Sequence, residues 1–342
     1  QIVADIERQL EDLKLRSSDL RHKLETTQQE LQRCSWERDE CQQELRQVNE
    51  QWSSLRQTRT AAAERARLLR EWQEQLEGLS LGVKDFLHRI QTTDKELAGS
   101  VCGLVADLLQ TELQVALLVD VALGEAAEWI VLRDSTPWLS QLRRGSAALN
   151  GRVCLLCLDQ LQKKTGPEPL PSDSSRLRNE VGVLGLAEDF VQTEEEYLPI
   201  RRLLLGKTWF VESLDTALSL ASDHIGLRFV TLSGELVTSE GLVVAGQRTS
   251  GVGLVSRRTE LRNLTRSIAE WDQQLRELQD AIAKSEERLR KAEARVAAVE
   301  EQRRLLSEEL KNCERRQEDI QRQLQEHSTR FGALKTEISA AT

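Results

Sequence analysis

The chain has 342 residues, 30% of them charged and 4% aromatic, with a formal net charge of −9. So much charge and so little aromatic material exclude one large packed core and suit long solvated helices around a smaller domain. The stretch 80–256 carries 16 Lys and Arg against 23 Asp and Glu, which excludes nucleic-acid binding by bulk charge and leaves room only for a local basic patch.

Alternating steps of four and three from residue 6 to 76 visit 21 positions, and 16 of them are apolar. The stripe runs through Leu10, Leu20, Leu31, Leu45, Trp52, Leu69 and Leu76. An apolar repeat of 3.5 residues held this long predicts a coiled-coil seam, because only that period keeps one face on its partner. Residues 1–79 are therefore read as an arm. Cys34 and Cys41 fall on seam positions, where a thiol serves as a small hydrophobe. With Cys102, Cys154, Cys157 and Cys313 they make six cysteines, read as reduced thiols of a cytoplasmic protein.

The middle of the chain divides at 166–178 (GPEPLPSDSSRLR), a linker by its prolines and serines. The flanking segments, 80–165 and 179–256, repeat each other. Gly103-Leu-Val-Ala-Asp107, Gln110-Thr-Glu112 and Leu123-Gly124 recur as Gly185-Leu-Ala-Glu-Asp189, Gln192-Thr-Glu194 and Leu205-Gly206, always 82 residues on. Trp129-Ile-Val131 recurs as Trp209-Phe-Val211, slipped by two. Four blocks in one order indicate an internal duplication with pseudo-two-fold character. Each copy reads as a short strand, a turn, a helix closed by Gly (Glu112–Leu123, Glu194–Leu205) and a strand. The second copy continues with a helix capped by Ser213, then strands around a Ser233-Gly234 turn.

No motif in the middle carries chemistry. Cys154-Leu-Leu-Cys157 lies in a strand-like run without further ligands, so a buried strand is favoured over zinc. Gly206-Lys207-Thr208 lacks the glycine five positions earlier that a phosphate-binding loop needs. The four histidines are dispersed. No catalytic, cofactor or metal site is expected. Basic residues do gather at the domain–arm junction: Lys84 and Arg89 on one side, Arg257, Arg258, Arg262 and Arg266 on the other. Arg143, Arg144 and Arg152 form a second group. Lys84, Arg257, Arg258 and Arg262 are candidate DNA-phosphate contacts, against the alternative of ordinary solvated surface.

The second arm, 257–342, visits 23 seam positions from residue 261 to 338, 19 of them apolar. The arms fold back antiparallel, with residue 76 expected near 261 and Cys313 opposite about residue 24. No run reaches the length of a membrane span. Starting without Met and inside the heptad rhythm, the chain is expected to be an excerpt of longer coiled coils.

This arrangement resembles the hinge region of SMC (structural maintenance of chromosomes) proteins, a duplicated α/β domain between two antiparallel arms. The residues that carry it are Gly103–Asp107, Val121-Ala-Leu-Gly124, Thr216-Ala-Leu218 and above all Leu227-Arg-Phe-Val-Thr-Leu-Ser-Gly-Glu-Leu-Val237. The resemblance is to a bacterial Smc. It implies an α+β fold: a duplicated hinge-like α/β domain of two pseudo-two-fold halves inserted in a long antiparallel intramolecular coiled coil. It also implies a homodimer joined hinge to hinge in a chromosome-associated, cytoplasmic protein acting in condensation and segregation. Kleisin-type subunits would bind at ATPase heads that lie outside this stretch, where no Walker or signature motif occurs. Gly234, Gly241, Gly246, Gly124 and Gly206 are the implied dimer-interface residues. Where the family shows paired glycines, Glu240-Gly241 and Ala245-Gly246 each keep one. Alternatives are a DNA-repair relative (Rad50-like or RecN-like) and a protein-binding scaffold that never dimerises.

Overall fold

A computed structural model describes residues 2–92, 98–143, 150–164, 174–246 and 253–341. The chain divides into two compact units, Gln1–Thr58 with Trp271–Thr342, and Arg59–Glu270. Helices α1 (Ile2–Glu74) and α10 (Leu254–Ala341) each run through both.

The first unit is an antiparallel pair of helices. Arg288 meets Glu44 at 2.7 Å, Arg295 meets Glu37 at 3.2 Å and Arg21 meets Glu314 at 2.9 Å. Such exposed pairs contribute a few tenths of a kcal/mol each and mainly set direction. Leu31, Cys34, Val296 and Val299 close the seam as the stripe predicts. Two polar interruptions of the stripes also face each other: Gln317 donates to the buried Ser17 hydroxyl at 3.0 Å. The Cys313 thiol lies on the Leu13 carbonyl at 3.5 Å, so its neighbour is not residue 24 as expected.

The second unit holds the duplicated domain. Its first half comprises α2 (Leu81–Thr92), β1 (Val101–Leu104), α3 (Val105–Leu108), β2 (Gln110–Thr111), α4 (Leu113–Leu123), β3 (Ile130–Leu132), α5 (Thr136–Arg143), β4 (Leu155–Cys157) and α6 (Leu158–Lys164). Its second half comprises α7 (Ser174–Leu177), β5 (Val183–Leu186), β6 (Val191–Gln192), α8 (Leu198–Leu205), β7 (Thr208–Val211), α9 (Leu214–Asp223), β8 (Arg228–Thr231), β9 (Leu236–Thr238) and β10 (Val243–Val244). Residues 166–173 of the expected linker lie outside the described residues. Ser174–Leu177 form a helical turn, and Leu177 is buried in the second-half core.

The duplication is visible in the hydrogen bonds. β2 and β6 pair antiparallel, with Gln110 opposite Gln192, two positions equivalent in the repeat. Thr111 donates to the Phe190 carbonyl and Thr193 to the Leu108 carbonyl, both at 2.8 Å. These equivalent bonds put the pseudo-two-fold axis through this ribbon. In each half an antiparallel edge strand (β1, β5) joins a strand (β3, β7) that pairs parallel with the next (β4, β8). Gly103 and Gly185 sit at equivalent bulges with φ of +132° and +148°, a region where a side chain is strained. The slip between the repeats is three residues, not two: Leu104 pairs with Ile130, and its equivalent Leu186 pairs with Trp209. The 3-10 turn Gly124–Glu128 lengthens the first half before β3, whereas α8 passes through Gly206 and Lys207 into β7.

The halves end differently. The first-half sheet has three strands in the order β1-β3-β4; the second-half sheet has five in the order β10-β9-β8-β7-β5. Val105, Leu109, Val119, Phe210 and Val230 belong to a core shared by both halves. Arg228 crosses between the halves, donating to the Leu204 carbonyl at 2.6 Å and the Ala122 carbonyl at 3.4 Å. One guanidinium thus serves the C-terminal carbonyls of the equivalent helices α4 and α8. Burial pushes its pKa down.

Candidate dimerisation edges and arm junction

Each sheet presents an outer strand. In the first half it is β4, whose inner side pairs with β3 through Ile130–Leu155, Val131–Leu156 and Leu132–Cys157. In the second half it is β10, held to β9 by Val243–Val237 and Val244–Leu236. Leu242, Val243 and Val244 are 57%, 44% and 48% exposed, an apolar strip on a strand edge that is costly to leave in water. Cys154 is exposed just before β4 and Cys157 is half-buried within it, so the expectation that both belong to the core fails for Cys154. Burial raises the Cys157 pKa.

The candidate glycines separate into two groups. Gly234, Gly241 and Gly246 occupy the turns around β9 and β10, at φ of +91°, +86° and +98°. A Cβ on Gly241 or Gly246 would meet nothing within 4 Å. Gly124 and Gly206 close α4 and α8. A Cβ on Gly206 would lie 2.5 Å from the Arg202 carbonyl oxygen, a local requirement of the helix end.

The junction is built on the first half. Asp120, buried in α4, accepts from the Val255 and Ser256 amides at 2.8 and 2.9 Å and from the Ser256 hydroxyl at 2.5 Å. A carboxylate on the free amides of a helix N-terminus is a cap supplied from a distant element. Gly253 is required beside it, since any Cβ there would collide with the Asp120 carboxylate. One turn on, Arg258 is ion-paired with Asp107, whose carboxylate also accepts from the Leu104 amide at 3.0 Å. Burial, then repulsion from Arg262, pushes the Arg258 guanidinium down to about 10, which leaves it charged at neutral pH. Arg262 donates to the Asp107 carbonyl at 2.7 Å.

The end of α1 is different. Leu76, the last seam residue of the heptad count, has left the helix and stands at φ +55°. Its amide bonds the Gln73 carbonyl and the Glu77 amide bonds the Trp72 carbonyl, a Schellman termination with Leu where glycine is usual. The Leu76 side chain packs onto the core cluster that includes Val83, Phe86 and Trp138, which offsets that backbone cost. Arg65 forms a two-pronged bond to Glu260 at 2.7 and 3.0 Å, and the Arg257 guanidinium lies 5.3 Å from the Trp72 ring. Arg65 and Glu260 thus tie the helices together at the junction, and Leu76 and Leu261 line one small cavity there, as the heptad count expects.

Of the candidate DNA contacts, Arg258 and Arg262 turn to Asp107, and Arg257 donates to the Glu77 carbonyl at 3.2 Å. Lys84 is half-buried on α2, and Arg144 lies outside the described residues. The residue that sequence reasoning missed is Asp120. Its signal was present: it is the one charge in LQVALLVDVAL, and a charge in so apolar a helix requires a buried partner.

Residues 98–221 match the family model of the SMC proteins flexible hinge domain. The chain is 38% identical over 218 residues to a chromosome partition protein Smc of Rhodopirellula baltica, covering 64% of this chain and 18% of that one. It is 26% identical to the Smc of Halothermothrix orenii over 215 residues, 59% of this chain and 16% of that one. It thus spans less than a fifth of the length of these relatives. The crystal structure of an asymmetric dimer of the Geobacillus stearothermophilus SMC hinge domain superposes with a TM-score of 0.60 at 24% identity, covering 73% of this chain and 98% of that one. Residues 98–221 thus match an SMC hinge domain in sequence and fold, with long helices on both sides.

Proposed function

We propose that this chain is the dimerisation joint of a chromosome-partition Smc protein, with two copies joined hinge to hinge. The observation that carries the reading is the exposed apolar strip Leu242–Val244 at the open edge of the second-half sheet, matched by the open β4 edge of the first half. In a two-fold pair, β10 of one copy lies along β4 of the other, and the contact occurs twice. Backbone amides and carbonyls of both edges are then satisfied, and the strip leaves water. Gly234, Gly241 and Gly246 shape the turns that bring β10 to this edge. The similarity to a hinge crystallised as a dimer supports the same reading.

The relatives are chromosome partition proteins. On that ground the longer protein would organise and segregate chromosomes, driven by ATPase heads outside this stretch, and the hinge itself would do no chemistry. A DNA contact through Arg257, Arg258 and Arg262 would have to break the bonds these residues make at the junction, so we assign them to arm mounting.

Sedimentation of the chain at micromolar concentration is the test. A dimer is expected, and Val243→Asp with Val244→Asp should dissociate it while the far-ultraviolet circular dichroism stays unchanged. A monomeric parent chain would overturn the reading.

A further inference from the structure

The two arms meet the hinge through different hardware. The first turns of α10 are fixed to the first half three times, by the Asp120 cap, by the Arg258–Asp107 pair and by Arg262 on the Asp107 carbonyl. Val255 is buried in the shared core as well. Residues 61–77 of the other arm instead send their polar links between elements to α10: Arg65 to Glu260, and the Glu77 carbonyl to Arg257. Between the last turns of α1 and the first half lies an open cleft of about 520 Å³, lined by Arg70, Gln73, Glu74, Leu87 and Gly103 among others. At its end the backbone reverses through Leu76 and Gly78, both at positive φ.

We infer that the hinge-proximal end of α1 is a pivoting arm, turning about Leu76–Gly78 into the cleft, while α10 is a fixed strut. The Arg65–Glu260 bond and the Trp72–Arg257 stack are the latch that holds α1 against the strut. A left-handed Leu stores of order 1 kcal/mol and persists where its surroundings over-determine it, which is the setting of a bistable element. A cleft behind the helix gives the second position somewhere to be. Breaking the latch therefore frees one arm and leaves the other in place. The inference does not depend on dimerisation; either can fail alone.

Pulsed electron–electron resonance on the full chain tests it, with encoded spin-label amino acids that spare the native cysteines. One label sits at Gln114 on α4, the second at Ala61 on α1 or at Ala269 on α10. Labelled chain is diluted with unlabelled chain so that only distances within one copy are read. Glu260→Arg, and independently Arg65→Ala, should broaden and shift the 61–114 distances and leave the 269–114 distances unchanged. Asp120→Ala should broaden the 269–114 distances. An unaltered 61–114 distribution in both latch variants, or arms that move together, overturns the inference. Unchanged thermal unfolding of the latch variants excludes loss of fold as the cause.

Discussion

Single polar side chains decide how the pieces of this fold are joined. Arg228 is half-buried, carries a depressed pKa and serves two helix ends in different halves of the duplicated domain. Replacing it with Met keeps the bulk and strands two carbonyls, so Arg228→Met should cost about 2 kcal/mol. Urea unfolding of the chain checks this, and a cost near zero would show that water serves those carbonyls equally well. Asp120 and Asp107 are residues of the same kind, and Leu76 is as decisive through its backbone. They were hard to read in sequence because each acts through a partner far along the chain. A seam count places Leu76 in a helix, since its side chain is apolar and in phase. Only the backbone reversal at residue 76 shows that phase and conformation part company there. The arginines of the junction failed to declare themselves for a related reason. Charge in sequence looks solvated, and nothing local says that Asp107 waits for Arg258.

Elements were far more legible. The arms follow from period alone, because a stripe at 3.5 residues has one structural solution. The duplication follows from spacing, and the equivalent bulges and ribbon bonds follow from the duplication. What spacing missed was the three-residue difference before β3, since two tryptophans happened to align. Within the coil, the Ser17–Gln317 pair shows how polar interruptions are used: they fix register at some cost in stability. Changing both to Leu should stabilise the arms by roughly 1–2 kcal/mol through added burial, read as a higher melting temperature. It should also admit a shifted register, seen as a second distance between spin labels encoded at residues 11 and 322. A single unshifted distance would show that the charged flanks are enough to hold the register.

At the scale of the molecule, the pseudo-two-fold ribbon is where the halves become one domain. Thr111 and Thr193 make equivalent bonds across it, so Thr111→Val and Thr193→Val should each cost about 1 kcal/mol. Unequal costs in chemical unfolding would mean that the axis is formal rather than energetic. The likeness stops at the arms. Asp120 holds α10, and its repeat equivalent, Arg202, is exposed. Leu76 and α2 share a core with β1 and β3 of the first half, and among the described residues the second-half core of Leu177, Trp209 and Phe229 includes none from an arm. The consequence is a load path. Tension applied to either arm enters the domain through the first half and reaches the second only through the shared core. Two copies of one ancestral unit have thus become a bracket and a coupling. In the proposed pair, every pull on one molecule's arms would reach its neighbour through β4, the last strand of the bracket.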